Sequence, residues 1–300
     1  YILELLARER PDYLAVAFDP PGGTFRNKMY PEYKANRKET PQLVIDALEP
    51  LMELCKAMNI PTLMLKGFEA DDVIGSMAKR CAGEGLDVYM VTPDKDYGQL
   101  IGPHIWQYKP GKAGNDNEII GVKEVCEKYG IKSPGQVIDM LTICGDTADN
   151  VPGVKGVGEV GAGKLVAKYG SVEGIYEHLD ELTPRQRTQF EEARDHIDLS
   201  HELVTIKTDI KVDINTEEMK VCREYGPALA DLFEKYEFNS LNKFIGHVSG
   251  AVEKPESEIP GIIKVRPGEV AKAAVKAGIC SIITEGADGS IFTKTRRIII

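Results

Sequence analysis

The chain has 300 residues, with 37 Lys and Arg against 47 Asp and Glu, giving a formal net charge of −10 at pH 7. At 42% hydrophobic and 28% charged it is not a largely disordered chain, and no apolar run reaches the ~20 residues of a membrane-spanning helix. A net acidic chain is no uniformly basic nucleic-acid binder, so a nucleic-acid role requires the acids to be gathered in one place and the bases in another.

The opening YILELLARER has no Met and no basic-then-apolar signal region, and reads as the interior of a longer protein. YLAVAF (13–18) is an apolar run stopping at Asp19-Pro20-Pro21-Gly22-Gly23, which predicts a buried strand and a break. Residues 24–38 carry Arg26, Lys28, Lys34, Arg37 and Lys38 against Glu32, with Phe25, Tyr30 and Tyr33 interleaved. Thr40-Pro41 predicts the cap of a helix with apolar positions Val44, Ala47, Leu48, Leu51, Leu54, Cys55 and Met58, kinked at Pro50. IPTLML (60–65) is a second strand, leading into a helix that carries Val73, Ile74, Met77, Ala78 and Cys81. DVYMVT (87–92) and HIWQYK (104–109) are a third and fourth. Strands alternating with helices predict an α/β fold with a mostly parallel sheet.

Residues 121–144 predict two short helices broken by Ser133-Pro134-Gly135, followed by a Gly-rich stretch and helix to about 245. Pro, Glu, Ser and Gly dominate 249–261, as in a linker. The last forty residues are globular in texture and stop inside an apolar run. The six Cys, at 55, 81, 126, 144, 222 and 280, form no CxxC pair, which predicts reduced thiols in a cytoplasmic protein.

The acids fall at strand ends. Asp19 follows the first strand, Glu69, Asp71 and Asp72 the second, and Asp94 and Asp96 the third, while Asp146 and Asp149 stand three apart in GDTADN. Ligand sites of parallel sheets lie outside the carboxyl ends of the strands, so these clusters are expected to converge on one edge. Acids also favour helix N-termini and turns, which explains any single cluster but not four at corresponding places. An all-oxygen set without His or Cys selects hard cations, Mg²⁺ or Mn²⁺.

PGVKGVGEVGAGK (152–164) contains partial matches to a dinucleotide fingerprint and a P-loop. Both need a strand directly before them, and Asp149-Asn150-Val151-Pro152 is not one. A hairpin between two helices fits instead. Gly153, Gly156 and Gly158 let backbone N–H groups approach phosphate, Lys155 and Lys164 add charge, and Val154 and Val157 can be buried between the helices. Such contacts hold a DNA backbone without reading sequence. The basic-aromatic stretch suits the same partner, with Lys34 and Arg37 on one helical face, Arg26 beside them and tyrosines such as Tyr33 stacking on bases.

FDPPGGTFRNKMYPEYKANR, GFEADDVIG, TPDKDYGQL and GDTADNVPGVKGVGEVGAGKL, in this order, resemble the 5′-nuclease domain family of bacterial DNA polymerase I, related to flap endonucleases, over about residues 1–247. The resemblance implies a PIN-like parallel α/β core, a helical arch and a helix–three-turn–helix subdomain. It implies 1–142 as the core without its N-terminal strand, 143–247 as the DNA-binding part, 248–261 as linker and 262–300 as the start of a 3′–5′ exonuclease-like domain. That N-terminal strand, expected to lie centrally, ends in a further metal-binding Asp in the family, so weak cleavage by this chain is expected.

The implied activity is metal-dependent cleavage of DNA at 5′ ends and 5′ flaps by a monomer, with two or more Mg²⁺ or Mn²⁺ ions and a polymerase domain in cis. Asp19, Glu69, Asp71, Asp72, Asp94, Asp96, Asp146 and Asp149 take the metal positions. Arg26, Lys34 and Arg37 take the arch positions facing phosphate or flap, and the hairpin position can also hold a monovalent cation such as K⁺. One departure is Val160-Gly161, where the family more usually has Lys-Thr. A PIN-type ribonuclease, which should lack the hairpin, and a non-catalytic duplex-binding module, which would not need all the acids, are the alternatives.

Overall fold

Short parallel strands form where the apolar runs predict them. In the computed structural model, residues 1–111, 116–244 and 297–299 are described. Helix α1 (Ile2–Glu9) precedes β1 (Tyr13–Leu14) and β2 (Val16–Ala17), so the first apolar run is two strands separated by buried Ala15. β2 pairs in parallel with β3 (Thr62–Leu63), in the register Val16↔Thr62. β4 (Asp87–Val91), β5 (Ile105–Lys109) and β6 (Glu118–Ile120) continue the larger sheet, whose order is β1-β7-β4-β5-β6. Only the β5–β6 pair in it is antiparallel.

Between β1 and β4 lies a strand from the far end of the chain. Strand β7 (Arg297–Ile299) runs parallel to both β1 and β4, with Ile298 and Ile299 buried. The physical reason is general: an open slot leaves two rows of unpaired backbone groups, and a β-branched apolar segment satisfies them while burying its side chains. The expected linker and the remainder of 262–300 lie outside the described residues.

Helix α2 (Phe25–Met29) is short, whereas α3 (Gln42–Ala57) runs unbroken through Pro50. Thr40 does not cap it; Pro41 holds the cap position without a side-chain bond. Helix α4 (Ala70–Gly83) packs Val73, Met77, Ala78 and Cys81 into the core, where alternate residues Val88 and Met90 of β4 point. Five more helices follow: α5 (Val122–Tyr129), α6 (Gln136–Cys144), α7 (Glu159–Tyr169), α8 (Val172–Glu177) and α9 (Pro184–Ala193). Helix α10 (Ile197–Val204) packs with α7 around α6, which buries Val137, Met140, Leu141 and Ile143.

Helix does not continue from there as expected. Residues 205–215 are neither helix nor strand, and alternation of Ile210, Val212 and Ile214 is the local signal against helix. Polar side chains of α4 take up this strap's backbone: Ile210 N donates to Ser76 Oγ, and Arg80 donates to Val212 O and Ile214 O. A second unit begins at Arg223. It holds α11 (Pro227–Lys235), with Pro in its first turn and Leu229 and Phe233 buried. Among the described residues no helix is long and apolar enough to cross a membrane. The five described Cys are free thiols.

Candidate active site

The N-terminus of α4 anchors the acidic region. Glu69 is its N-cap, and its backbone N–H donates to Asp72 Oδ2 at 3.1 Å. Asp72 is fully buried and also accepts from Arg26 Nη1 (2.7 Å), Arg26 Nη2 (2.8 Å) and Lys207 N (2.9 Å). Its lone pairs are thereby spent. Arg26 is equally committed: Nε donates to Leu203 O, Nη2 to Thr205 O, and Nη1 also reaches Glu69 Oε2. These bonds occupy the whole guanidinium fork. Two expectations are corrected here. Arg26 has no donor left for a phosphate, and Asp72 has no oxygen left for a metal; together they bolt α2 and α4 to the segment after α10.

The basic stretch is helical only as α2, so Lys34 and Arg37 do not share a helix face. Pro31 removes a donor, and Tyr30 before it is extended, which ends α2. Turns follow, with Lys34 at φ +60° and its N–H donating to Asp149 O. Asn36 and Asn150 lace this turn to 146–150 through Thr147 O and Glu32 O. Tyr33 is buried, its hydroxyl 3.0 Å from Glu69 Oε2 and 3.4 Å from Asp149 Oδ2. It therefore offers no face for base stacking. Burial first, then the Glu69 charge, raises its pKa. Lys34 Nζ donates to Glu69 Oε1 at 2.5 Å and lies 3.8 Å from Asp149 Oδ2, while Arg37 pairs with Asp149 Oδ1. Lys34 and Arg37 keep 26% and 53% side-chain exposure, against 2% for Arg26.

The remaining acids sit across the same edge. Asp19 Oδ1 accepts from Ala70 N, tying the end of the first apolar run to the start of α4. After β4, Asp94 caps a 3-10 helix, Lys95–Leu100, by accepting from Asp96 N. Asp96 Oδ1 is buried with no partner. Asp146 and Asp149 lie in a turn closed by the Asp146↔Val151 bridge rather than on a helix. The buried Tyr97 hydroxyl is raised by desolvation and then by Asp71, Asp94, Asp19 and Asp72 together, so these acids share one neighbourhood. Asp96 joins Asp94, Asp146 and Asp149 in the same way. Among the described residues, however, no three acids stand in a ready-made metal-binding arrangement.

Burial first, then Glu69, pushes the Asp71 carboxyl up to about 7, and burial followed by Asp94 does the same for Asp96. This reverses the usual carboxylate dependence. The folded chain keeps protons that the unfolded chain releases near the ordinary value of 3.8, so stability is greatest at low pH within this window and falls as pH rises to about 7. In EDTA the melting temperature is expected to drop between about pH 5 and 8, and Asp96→Asn should flatten the drop. A melting temperature that climbs over that range would contradict the placement of these two carboxyls.

The glycine-rich hairpin follows α6. Val154 and Val157 are buried as expected, and Val154 N donates to Ile143 O at 2.7 Å. A Cβ on Gly153 would stand 2.4 Å from Gly145 N, so only glycine permits this approach. Lys155, Gly158 and Lys164 are exposed, and Gly158 is the N-cap of α7. Two residues the sequence did not single out hold the hairpin from behind: Ser200 Oγ donates to Pro152 O (2.6 Å) and His196 Nε2 to Gly153 O (3.3 Å). Neither lies in a local pattern with the hairpin, so no spacing could reveal them.

Residues 1–130 match the family described as 5′-3′ exonuclease, N-terminal resolvase-like domain, and 132–225 match 5′-3′ exonuclease, C-terminal SAM fold. The 5′-3′ exonuclease of Aquifex aeolicus is 33% identical over 247 residues, covering 82% of this chain and 83% of the relative. The chain belongs to the 5′-3′ exonuclease family. A similar match, 33% identical over 314 residues, is DNA polymerase I of Caldicellulosiruptor bescii, where all of this chain covers 37% of the relative. The chain thus spans little more than a third of that polymerase's length. Among solved structures, T5 5′-exonuclease with bound zinc has TM-score 0.58 at 21% identity, covering 82% of this chain and 87% of that one. The catalytic core of Rad2 in complex with DNA substrate has TM-score 0.53 at 14% identity, covering 82% and 81%. At these identities the likeness is one of fold, and it is the fold expected of a 5′-3′ exonuclease.

Proposed function

We propose that this chain is a metal-dependent nuclease cutting DNA at 5′ ends and 5′ flaps, on a duplex held by the 153–164 hairpin. The observation that carries the reading is the buried, partnerless Asp96 Oδ1 among acids whose charges raise its pKa, one of which, Asp149, is paired with the cations Lys34 and Arg37. Oxygen-only donors fit a hard divalent cation: Asp96 Oδ1 has no partner, and Asp19, Asp71, Asp94 and Asp146 each commit Oδ1 to backbone N–H groups and keep Oδ2 for a metal, with Glu69 and Asp149 beside them. Bound Mg²⁺ or Mn²⁺ would supply activation of water and charge relief at the leaving oxygen.

The chain's own part is positioning. Lys34 and Arg37 neutralise Glu69 and Asp149 and can turn their N–H groups to a phosphate diester, offsetting charge that develops on its oxygens. Arg26 and Tyr33 fix the carboxylates they touch. Solved structures of T5 5′-exonuclease with zinc and of Rad2 with DNA substrate support the metal and DNA assignments. The hairpin favours DNA over the RNA of a PIN-type ribonuclease, and the cost of crowding acids argues against a merely binding module. A K⁺ ion at the hairpin, action as a monomer on cytoplasmic nucleoid DNA and a polymerase domain in cis belong to the same proposal.

Lys34→Ala is expected to slow single-turnover cleavage of a labelled 5′-flap substrate about 10²-fold while changing duplex affinity, measured in Ca²⁺, less than about threefold. Equal losses in both measurements would move Lys34 from the reacting phosphate to general DNA binding.

A further inference from the structure

Beside the hairpin lies a helix to which sequence reasoning gave no role. Gly156 has φ +78°, and a Cβ built on it would stand 2.8 Å from Gln189 Nε2 and 3.8 Å from Arg185 Nη2. Both side chains belong to α9, whose first turn is set by Pro184 and by Thr183 Oγ1 accepting from Gln186 N. The Gln189 amide therefore lies against the bare Cα of Gly156, and the Arg185 guanidinium comes within reach of the same backbone. The start of α7 offers little charge of its own, since Glu159, Val160 and Gly161 precede Lys164 and Val160 is 75% exposed.

Neighbouring cations are already committed. Arg187 pairs with Glu191, Lys168 with Glu181, and Arg194 lies over the Tyr176 ring. Among the described residues, Lys155, Lys164 and Arg185 have no hydrogen bond, ion pair or ring contact, and all three are exposed. An unpaired guanidinium next to a glycine turn with open N–H groups matches the fork geometry of a phosphate diester better than an ammonium does.

We propose that Arg185 is a second phosphate contact of the hairpin, delivered from α9 and spaced by Gln189 against Gly156. This rests on the reading that the hairpin holds duplex DNA. Arg185, Lys155 and the glycine backbone then form one sequence-independent grip built from two elements far apart in the chain.

The test is fluorescence anisotropy of the full chain with two unrelated duplexes in Ca²⁺, over a series of salt concentrations. Arg185→Ala is expected to weaken both duplexes alike, about fivefold, and to lower the slope of log affinity against log salt by about 0.9. Arg185→Lys should restore the slope but not all the affinity, and Arg187→Ala should change neither. If Lys155→Ala weakens binding and lowers the slope while Arg185→Ala does not, the Arg185 contact is overturned and the hairpin reading stands. If neither variant changes binding, the hairpin reading falls and the Arg185 contact with it. A loss confined to one duplex sequence also overturns it, because a phosphate contact carries no sequence information.

Discussion

Asp72→Asn is expected to destabilise the folded chain by about 3 kcal/mol, because it takes the two-bonded charged partner from the buried Arg26 guanidinium and leaves only the longer Glu69 contact. Arg26 is 2% exposed and Asp72 0%, so solvent cannot replace the lost charge. The pair also links α2, α4, Leu203 O, Thr205 O and Lys207 N, so the damage is not confined to one contact. Arg26→Ala should cost a similar amount, leaving the Asp72 carboxylate buried with only backbone donors. Because both belong to one network, the double variant should lose less than the sum of the two. Urea denaturation curves of the three variants measure this. A loss below about 1 kcal/mol for either single variant would mean that the ion pair is not the bolt described here.

The second large effect is opposite in sign for stability. Asp96→Asn is expected to lower flap cleavage by at least about 10²-fold while raising the melting temperature of the metal-free chain near pH 8. Asp96 is held near like charges at Asp94, Asp146 and Asp149, which Lys95 offsets in part, so removing its charge relieves repulsion. Such a gain in stability with a loss of activity is what separates a functional acid from a structural one such as Asp72. Adding Mg²⁺ should stabilise the unaltered chain and have a smaller effect on Asp96→Asn, since a ligand that binds only the folded state stabilises it by mass action.

Local patterns were legible where one segment decides the outcome. The strands at 87–91 and 105–109, the helices on either side of Ser133-Pro134-Gly135, and the burial of Val154 and Val157 follow from residues adjacent in sequence. The acids at strand ends were legible too, because a parallel sheet brings those ends to one edge. What escaped depends on pairing between distant segments. Arg26 looks like any exposed arginine until Asp72, 46 positions away, closes on it. Lys34 and Arg37 fit one helical face by their spacing, although Pro31 and the left-handed Lys34 make a turn. The strap at 205–214 leaves the helical state because side chains of α4 satisfy its backbone, which no propensity within 205–214 states. Likewise Ile298 and Ile299 join the sheet through pairing with β1 and β4, segments ~200 residues or more away in the chain that no local pattern announces.

The central claim, that the acidic edge is a metal-dependent cutting site, is tested most directly by single-turnover cleavage of a labelled 5′-flap duplex with the chain and its Asp96→Asn variant, each in Mg²⁺, Mn²⁺ and EDTA. Product is expected from the unaltered chain in either metal, none in EDTA, and a loss of at least about 10²-fold in the variant. Product formed in EDTA, or undiminished cleavage by Asp96→Asn, would contradict it.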